Sequence, residues 1–423
     1  MHVAPTTELK ALLRLAGPLI ASQLAHMLMV LTDTLMMARI SPQALAGGGL
    51  GAASYSFVSI FCLGVIAAVG TLVAIRQGAG DVPGATRLAQ NGLWLAWGLA
   101  LVAALVLWNL EPALLLFGQQ PENVASAMEF LTLLPLALPG YLTFMALRGF
   151  TSALGRSTPV MVISLVGTVL NYVFNHALIE GMFGLPKLGL MGIGLVTAVV
   201  SMGLPIGGTY MVEVGLFAFA ALCMGVLGST ELAAHQIALQ IVSTAFMVPT
   251  GLSYAVTMRV GLYYGGGNLL AARSAGRVGI GFGAMIMFAF AALFWLLPDT
   301  LVGLFIDRDD PAFAAIFQLA VSLVMVAAWF ELFDGMQTIA MGSIRGLKDA
   351  KTTFLIGLCC YWLVGAPSAW LFTFTLGGGA VGVWWGLALG LACAAVALTL
   401  GFEWRTKRML GKAHKAETAP MSV

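Results

Sequence analysis

Apolar runs recur along the chain from residue 11 to residue 402, separated by short polar breaks. Runs of about 20 residues can cross a hydrocarbon layer of about 30 Å as a helix. Backbone facing lipid must satisfy its own hydrogen bonds, which leaves helices or closed barrels. Barrel strands alternate in polarity, and segments such as Leu101-Val-Ala-Ala-Leu-Val-Leu107 do not. The pattern predicts helical spans near 11–38, 45–75, 88–108, 128–150, 158–179, 189–202, 204–227, 232–260, 276–297, 314–344, 352–376 and 380–402. The sixth is too short to span.

Composition agrees. The chain is 60% hydrophobic and 9% charged, where a soluble domain carries about 25% charged residues. Charge placement tests the order of the spans. With the N-terminus in the cytoplasm and each span reversing sides, only Arg39, Lys187 and Arg308 of the 20 basic residues fall outside. The other 17, Arg148 among them, sit at cytoplasmic ends, as the positive-inside rule requires. The expectation is a multi-pass inner-membrane protein with both termini cytoplasmic. The net charge of +2 says nothing in favour of nucleic acid. Cys62, Cys223, Cys359, Cys360 and Cys393 all lie in apolar spans without metal spacing. The first apolar run is too long for a signal-peptide core and contains Asp33.

The two halves resemble each other at an offset near 187. Pro18 pairs with Pro205, Val69 with Val256, Gly78 with Gly265, Gly80 with Gly267, and Asp81 with Asn268. Farther on the offset drifts to about 191: Ser152 and Gly155 pair with Ser343 and Gly346, and Gly189 and Gly192 with Gly379 and Gly382. Both copies begin on the cytoplasmic side, so the repeats are parallel and place a substrate site between two bundles. The expected lobes are 1–202 and 203–411, followed by a cytoplasmic tail, 412–423. After Gly382 the second copy has a full helix, Val383 to Phe402, whereas after Gly192 the first has ten residues before Gly203. Either roughly 40 residues are missing at Met202–Gly203, the length of a spanning helix with its linker, or a distorted sixth span is tolerated.

Asp33, Glu213, Glu331 and Asp334 lie deep in spans, where a charge costs about 2.5–3.5 kcal/mol to insert. No basic residue is expected at comparable depth. Low dielectric penalises an unpaired carboxylate, so such acids take up a proton or hold a cation. A structural, hydrogen-bonded neutral acid is the alternative for each, locally so for Asp33 between Thr32 and Thr34. Glu331 stands three residues before Asp334 and can share its helix face, or face another helix. Asn171 and Asn175, four apart, present amides on one face of the fifth span; they can coordinate a cation or act as packing between helices. His176, Gln23, His26, His235 and Gln236 admit either role. No nucleotide-binding loop, His-Glu-x-x-His or Gly-x-Ser-x-Gly occurs. The chain therefore reads as no enzyme, with no cofactor, driven by an ion gradient unless a partner supplies ATP.

Thr32-Asp33-Thr34-Leu-Met-Met-Ala-Arg39 resembles the first-helix motif of the MATE (multidrug and toxic compound extrusion) family. Gly203-Leu-Pro-Ile-Gly-Gly, Glu213-Val-Gly-Leu-Phe, Ala233-Ala-His-Gln-Ile237 and Gly342-Ser-Ile-Arg-Gly-Leu-Lys-Asp349 resemble motifs of its NorM-type branch. The resemblance implies an all-α membrane protein with 12 transmembrane helices in two parallel six-helix lobes, V-shaped, here with the sixth helix truncated. It implies a Na⁺- or H⁺-coupled antiporter exporting organic cations by alternating access from the lipid bilayer, able to work as a monomer. A lipid or polysaccharide-precursor flippase of the same superfamily is the alternative. By similarity Glu213 and Asp334 form a cation site that could take Na⁺ as a metal, and Asp33, Asn171 and Asn175 a polar cluster in the first lobe. Family members often carry tyrosine where this chain has Phe330, followed here by Glu331. A hydroxyl ligand is lost and a carboxyl gained.

Overall fold

The chain is all α in the computed structural model, which describes residues 5–40, 42–116, 121–180, 226–306 and 314–418 and the positions 216, 219–221, 223 and 224. The helices are α1 (Pro5–Ile40), α2 (Pro42–Gly78), α3 (Val82–Trp108), α4 (Glu111–Leu116), α5 (Pro121–Leu131), α6 (Leu138–Ala153), α7 (Thr158–Glu180), α8 (Ser229–Gly265), α9 (Leu269–Leu296), α10 (Pro298–Gly303), α11 (Ala314–Gly346), α12 (Ala350–Cys359), α13 (Ala366–Trp370) and α14 (Gly379–Thr418). Among the described residues, nine helical stretches are long and apolar enough to cross a membrane. They coincide with the first four and the last five expected spans. The fifth span is α7, with a shorter apolar stretch described over Thr158–Val173. The sixth span, most of the seventh, Glu213 and the Met202–Gly203 junction lie outside the described residues.

Two spans are less regular than their apolar pattern suggests. The fourth is α5, a 3₁₀ turn at Leu134–Ala137 and then α6. Pro135 and Pro139 fall at this break, and proline has no N–H to continue an α ladder. The eleventh is interrupted by π-helical turns at Cys360–Gly365 and Leu371–Thr375.

The chain divides into two compact units, Met1–Ile20 with Val212–Val423, and Ala21–Met211. In the second, the core gathers Leu63 and Ile66 of α2, Ala96 and Ala100 of α3, Phe130 of α5 and Leu142 of α6. In the first, α11 packs against α8, α9 and α14. Its largest fully buried side chains include Trp384, Tyr361, Phe294, Phe317, Phe330 and Phe402.

The same local geometry recurs in both units, at the positions the repeat pairs. Gly80 and Gly267 both take positive φ, +76° and +74°. Asp81 then caps α3 by accepting from Gly84 N–H at 2.9 Å, and Asn268 caps α9 by accepting from Ala271 N–H at 3.0 Å. Such caps satisfy amides that a helix start leaves open. Trp108 donates its indole N–H to Thr132 O, and Trp295 donates to Met325 O, both at 3.1 Å. Farther on, the left-handed residue after the helix is Gly155 in one unit and Lys348 in the other, at φ +73° and +64°. The structural correspondence there is thus 193 positions, and Gly155 pairs with Lys348 rather than with Gly346. Gly346 is instead the last residue of α11, where a Cβ would come within 2.9 Å of Thr257 O.

Helix ends in the first unit are tied by ion pairs. Glu8, 1% exposed, is held by Arg259, whose Nε and Nη2 donate at 2.9 and 2.6 Å, and by the Tyr263 hydroxyl at 2.7 Å. Arg273 and Arg277 of α9 both reach Glu403 of α14. Arg405 pairs with Asp349, which also caps α12 through Thr352 N–H at 3.0 Å.

Two stability outcomes follow in detergent thermal unfolding. Left-handed backbone costs an L side chain about 1–2 kcal/mol, so Lys348→Gly raises stability by about 1 kcal/mol; an unchanged or lower melting temperature would contradict the turn assignment. Glu8→Gln leaves Arg259 without its carboxylate in a mostly buried setting and costs about 2 kcal/mol. A wild-type melting temperature would show that this pair holds nothing together.

Candidate functional site: a buried acid on α11 and its hydrogen-bonded partners

On α11, residues three apart share a face. Glu331, Asp334 and Gln337 are spaced in this way and all are buried. Gln337 Nε2 donates to Asp334 Oδ1 at 3.0 Å. The Gln337 Oε1 accepts from the Tyr361 hydroxyl, which reaches in from the π-helical turn at Cys360–Gly365. This polarity suits an ionised Asp334, which only accepts, so that the amide turns its NH₂ towards it and offers oxygen to the phenol. Both oxygens of Glu331 are without a hydrogen-bond partner among the described residues. Two carboxyls, one tied and one untied, thus stand on one face of a membrane helix.

The surroundings fix α11 in place. Ser253 and Thr257 of α8 donate to the backbone oxygens of Thr338 and Gly342 at 2.7 and 3.0 Å. His235 of α8 is fully buried and accepts from Trp384 Nε1 at 3.2 Å through Nδ1. The neutral imidazole therefore carries its proton on Nε2, which has no hydrogen-bond partner among the described residues. Trp384 also packs edge-on to Phe330, with ring centroids 5.3 Å apart. Phe330, at the position of a lost hydroxyl, is thus a buried packing residue.

In the second unit Asn171 of α7 is fully buried. Nearby on the same helix, Ser164 bonds Ser22 of α1 at 2.6 Å, and Thr168 donates to Ala25 O at 2.9 Å. Asp33 and Asn175 belong to α1 and α7, but their side chains lie outside the described ones. Arg148 of α6 is 4% exposed and donates to Gln23 Oε1 at 3.3 Å. The Gln23 acceptor on α1 holds a guanidinium inward that the positive-inside count had placed at a cytoplasmic end.

Gln337, Tyr361, Trp384 and Arg148 are the polar residues that sequence reasoning left out. Gln337 carried a signal, its three-residue spacing from Asp334. Tyr361 carried none, since it meets Gln337 only through the tertiary fold. The 193-position correspondence also places Tyr141 opposite Asp334, so the acid has no acidic counterpart in the other unit.

The chain matches the MatE family model over residues 18–176 and 205–371. It is 84% identical over 462 aligned positions to the Probable multidrug resistance protein NorM of Pseudomonas putida, covering all of both chains. It is 63% identical to the protein of that name in Pseudomonas syringae pv. tomato, over 96% of each. Among solved structures it resembles a MOP superfamily transporter from Pyrococcus furiosus, with TM-score 0.85 and 19% identity over 95% of this chain and 96% of that one. An outward-facing multidrug resistance MATE family transporter aligns with TM-score 0.84 and 18% identity, over 95% and 96%. The family model covers most of both units and the identity to curated relatives is high, so the chain is a multi-pass membrane transporter of the MATE family, in its NorM-like branch.

Proposed function

We propose that the chain is an antiporter that exports organic cations by alternating access in exchange for Na⁺ or H⁺. The observation that carries the reading is the buried face of α11, where Asp334 is held by Gln337 and Glu331 has both oxygens open. Burial favours neutralising a carboxylate by a proton, a metal cation or an organic cation. Cation and substrate then compete for the same negative charge, and binding one favours releasing the other. Glu213 joins this site by family resemblance, while Asp33, Asn171 and Asn175 form the counterpart cluster of the first lobe. The lobes are 1–202 and 203–411, with both termini cytoplasmic and a single chain as the working unit. The name carried by the Pseudomonas putida relative, a probable multidrug resistance protein, supports organic cations as cargo.

One observation favours the flippase reading. Arg148 is a buried guanidinium, and guanidinium suits phosphate. The acids of α11 weigh against it.

The alignment to the Pseudomonas putida relative bears on the sixth helix. It spans 462 positions against the 423 residues of this chain, so 39 positions of the relative have no counterpart here. We infer that the gap falls at Met202–Gly203 and removes the end of the sixth span.

In proteoliposomes loaded under an imposed ΔpH or ΔpNa, the wild-type sequence completed with those 39 residues should take up ethidium, and Asp334→Asn should lose gradient-driven uptake while remaining folded. Uptake at the wild-type rate by Asp334→Asn would remove Asp334 from the mechanism. The 423-residue chain should transport at least about tenfold more slowly than the completed one, because a helix short by half cannot line a bilayer-spanning path. Equal rates would show that the short sixth span is tolerated.

A further inference from the structure

The eleventh span is irregular where it meets the acid. Pro367 cannot donate an amide hydrogen, and just before it Ala366 N–H bonds Tyr361 O, five residues back. This produces the π-helical turn Cys360–Gly365. Such turns hold one residue more than an α turn and recur at functional sites. Immediately beyond, Ala369 is gripped by α14: a Cβ on Gly386 would lie 2.2 Å from Ala369 Cα. The turn itself also meets α14, since a Cβ on Gly390 would lie 2.7 Å from Gly365 Cα, so Tyr361 is buried within a packed but irregular segment. Its hydroxyl is the donor to Gln337, and Gln337 is the donor to Asp334.

We propose that Gln337 and Tyr361 are positioning residues that report the occupancy of Asp334 to the π-helical turn. The inference rests on the reading of Asp334 as the coupling acid. A primary amide has a donor end and an acceptor end, and only one can face the carboxyl. When Asp334 is ionised and empty, the NH₂ end faces it. A cation on Oδ1 repels that end and attracts the amide oxygen. A proton on Oδ1 turns the carboxyl into a donor, which also calls for the amide oxygen. Either coupling ion therefore inverts Gln337. The NH₂ end then faces Tyr361, whose oxygen must accept instead of donate, and whose hydroxyl hydrogen must turn away from Gln337. No bond other than hydrogen bonds changes, and the incoming proton or cation comes from the aqueous phase.

Among titratable groups on the elements packed against α11, Arg259 is engaged by Glu8, and Arg273 and Arg277 by Glu403. Glu331 on α11 itself and His235 on α8, with Nδ1 taken by Trp384, are described groups that can also respond to a cation here.

The test is a double-mutant cycle on the full chain purified in detergent, read as ethidium affinity with and without coupling ion, in sodium chloride against choline chloride and across pH. The antagonism factor is the ratio by which the ion weakens ethidium binding. Tyr361→Phe and Gln337→Leu keep the ring and the apolar bulk. Each should cut the antagonism factor by about tenfold, the scale of a hydrogen bond to a charged group, whatever shift the substitution makes in ion-free ethidium affinity. A merely structural loss would weaken binding equally with and without ion and leave the antagonism factor at its wild-type value, and that result overturns the proposal. In an Asp334→Asn background, Tyr361→Phe should add nothing; additive effects would break the relay. Wild-type antagonism in Tyr361→Phe and Gln337→Leu, with antagonism lost in Asp334→Asn, overturns the relay and leaves Asp334 standing. Wild-type antagonism in Asp334→Asn overturns the reading of Asp334 and the relay with it.

Discussion

Hydrocarbon solvates neither a charge nor an open amide, and the placement of polar groups in this chain follows from that. Several buried or half-buried groups are paired inside the protein. Glu8 meets Arg259 and Tyr263, Ser253 and Thr257 meet carbonyls of α11, and Arg148 meets Gln23. Glu331 is the carboxyl among the described residues with both oxygens buried and no hydrogen bond, and such a carboxyl is costly. Asp334, one turn on, shares that face but is held by an amide whose orientation depends on its charge state. Structure and coupling thus draw on the same electrostatic penalty, offset in one case and left available in the other.

The two units share turn and cap chemistry but not the acid. Gly80 and Gly267, Asp81 and Asn268, Trp108 and Trp295 repeat the same local solutions. At the acid the pattern departs: Tyr141 occupies the position equivalent to Asp334. Lys348 departs in another way, taking a left-handed conformation that glycine accommodates in the first unit. Scaffold follows the repeat, and chemistry sits where the copies differ.

Much of the fold was legible because a spanning helix announces itself by length and apolarity alone. The expected spans near 45–75, 88–108, 276–297 and 314–344 all correspond to long helices. The breaks were harder. Pro135, Pro139 and Pro367 are visible in the sequence, but whether proline kinks, ends or widens a helix depends on which neighbour rescues the freed carbonyl. The repeat was legible at Gly80 and Gly267, where glycine is needed for positive φ. It slipped at Gly346, because Lys348 had taken over the turn and left a misleading glycine two residues earlier. Asp334 and Glu331 were legible as acids out of place, and Gln337 by its spacing. Tyr361 and Trp384 were not, since only tertiary packing brings them to Gln337 and His235. The burial of Arg148 was not legible, because sequence position near a span end does not say which way a guanidinium points.

The claim at the centre is that a coupling ion and the cargo exchange through Asp334. The most direct measurement is ion movement driven by cargo alone. Proteoliposomes carrying the protein, with no imposed ion gradient, receive an ethidium gradient, and internal pH and Na⁺ are followed with dyes. The account predicts that ethidium entry drives H⁺ or Na⁺ out, and that Asp334→Asn silences this countermovement. Ethidium entry without movement of either ion, or countermovement preserved in Asp334→Asn, would contradict it.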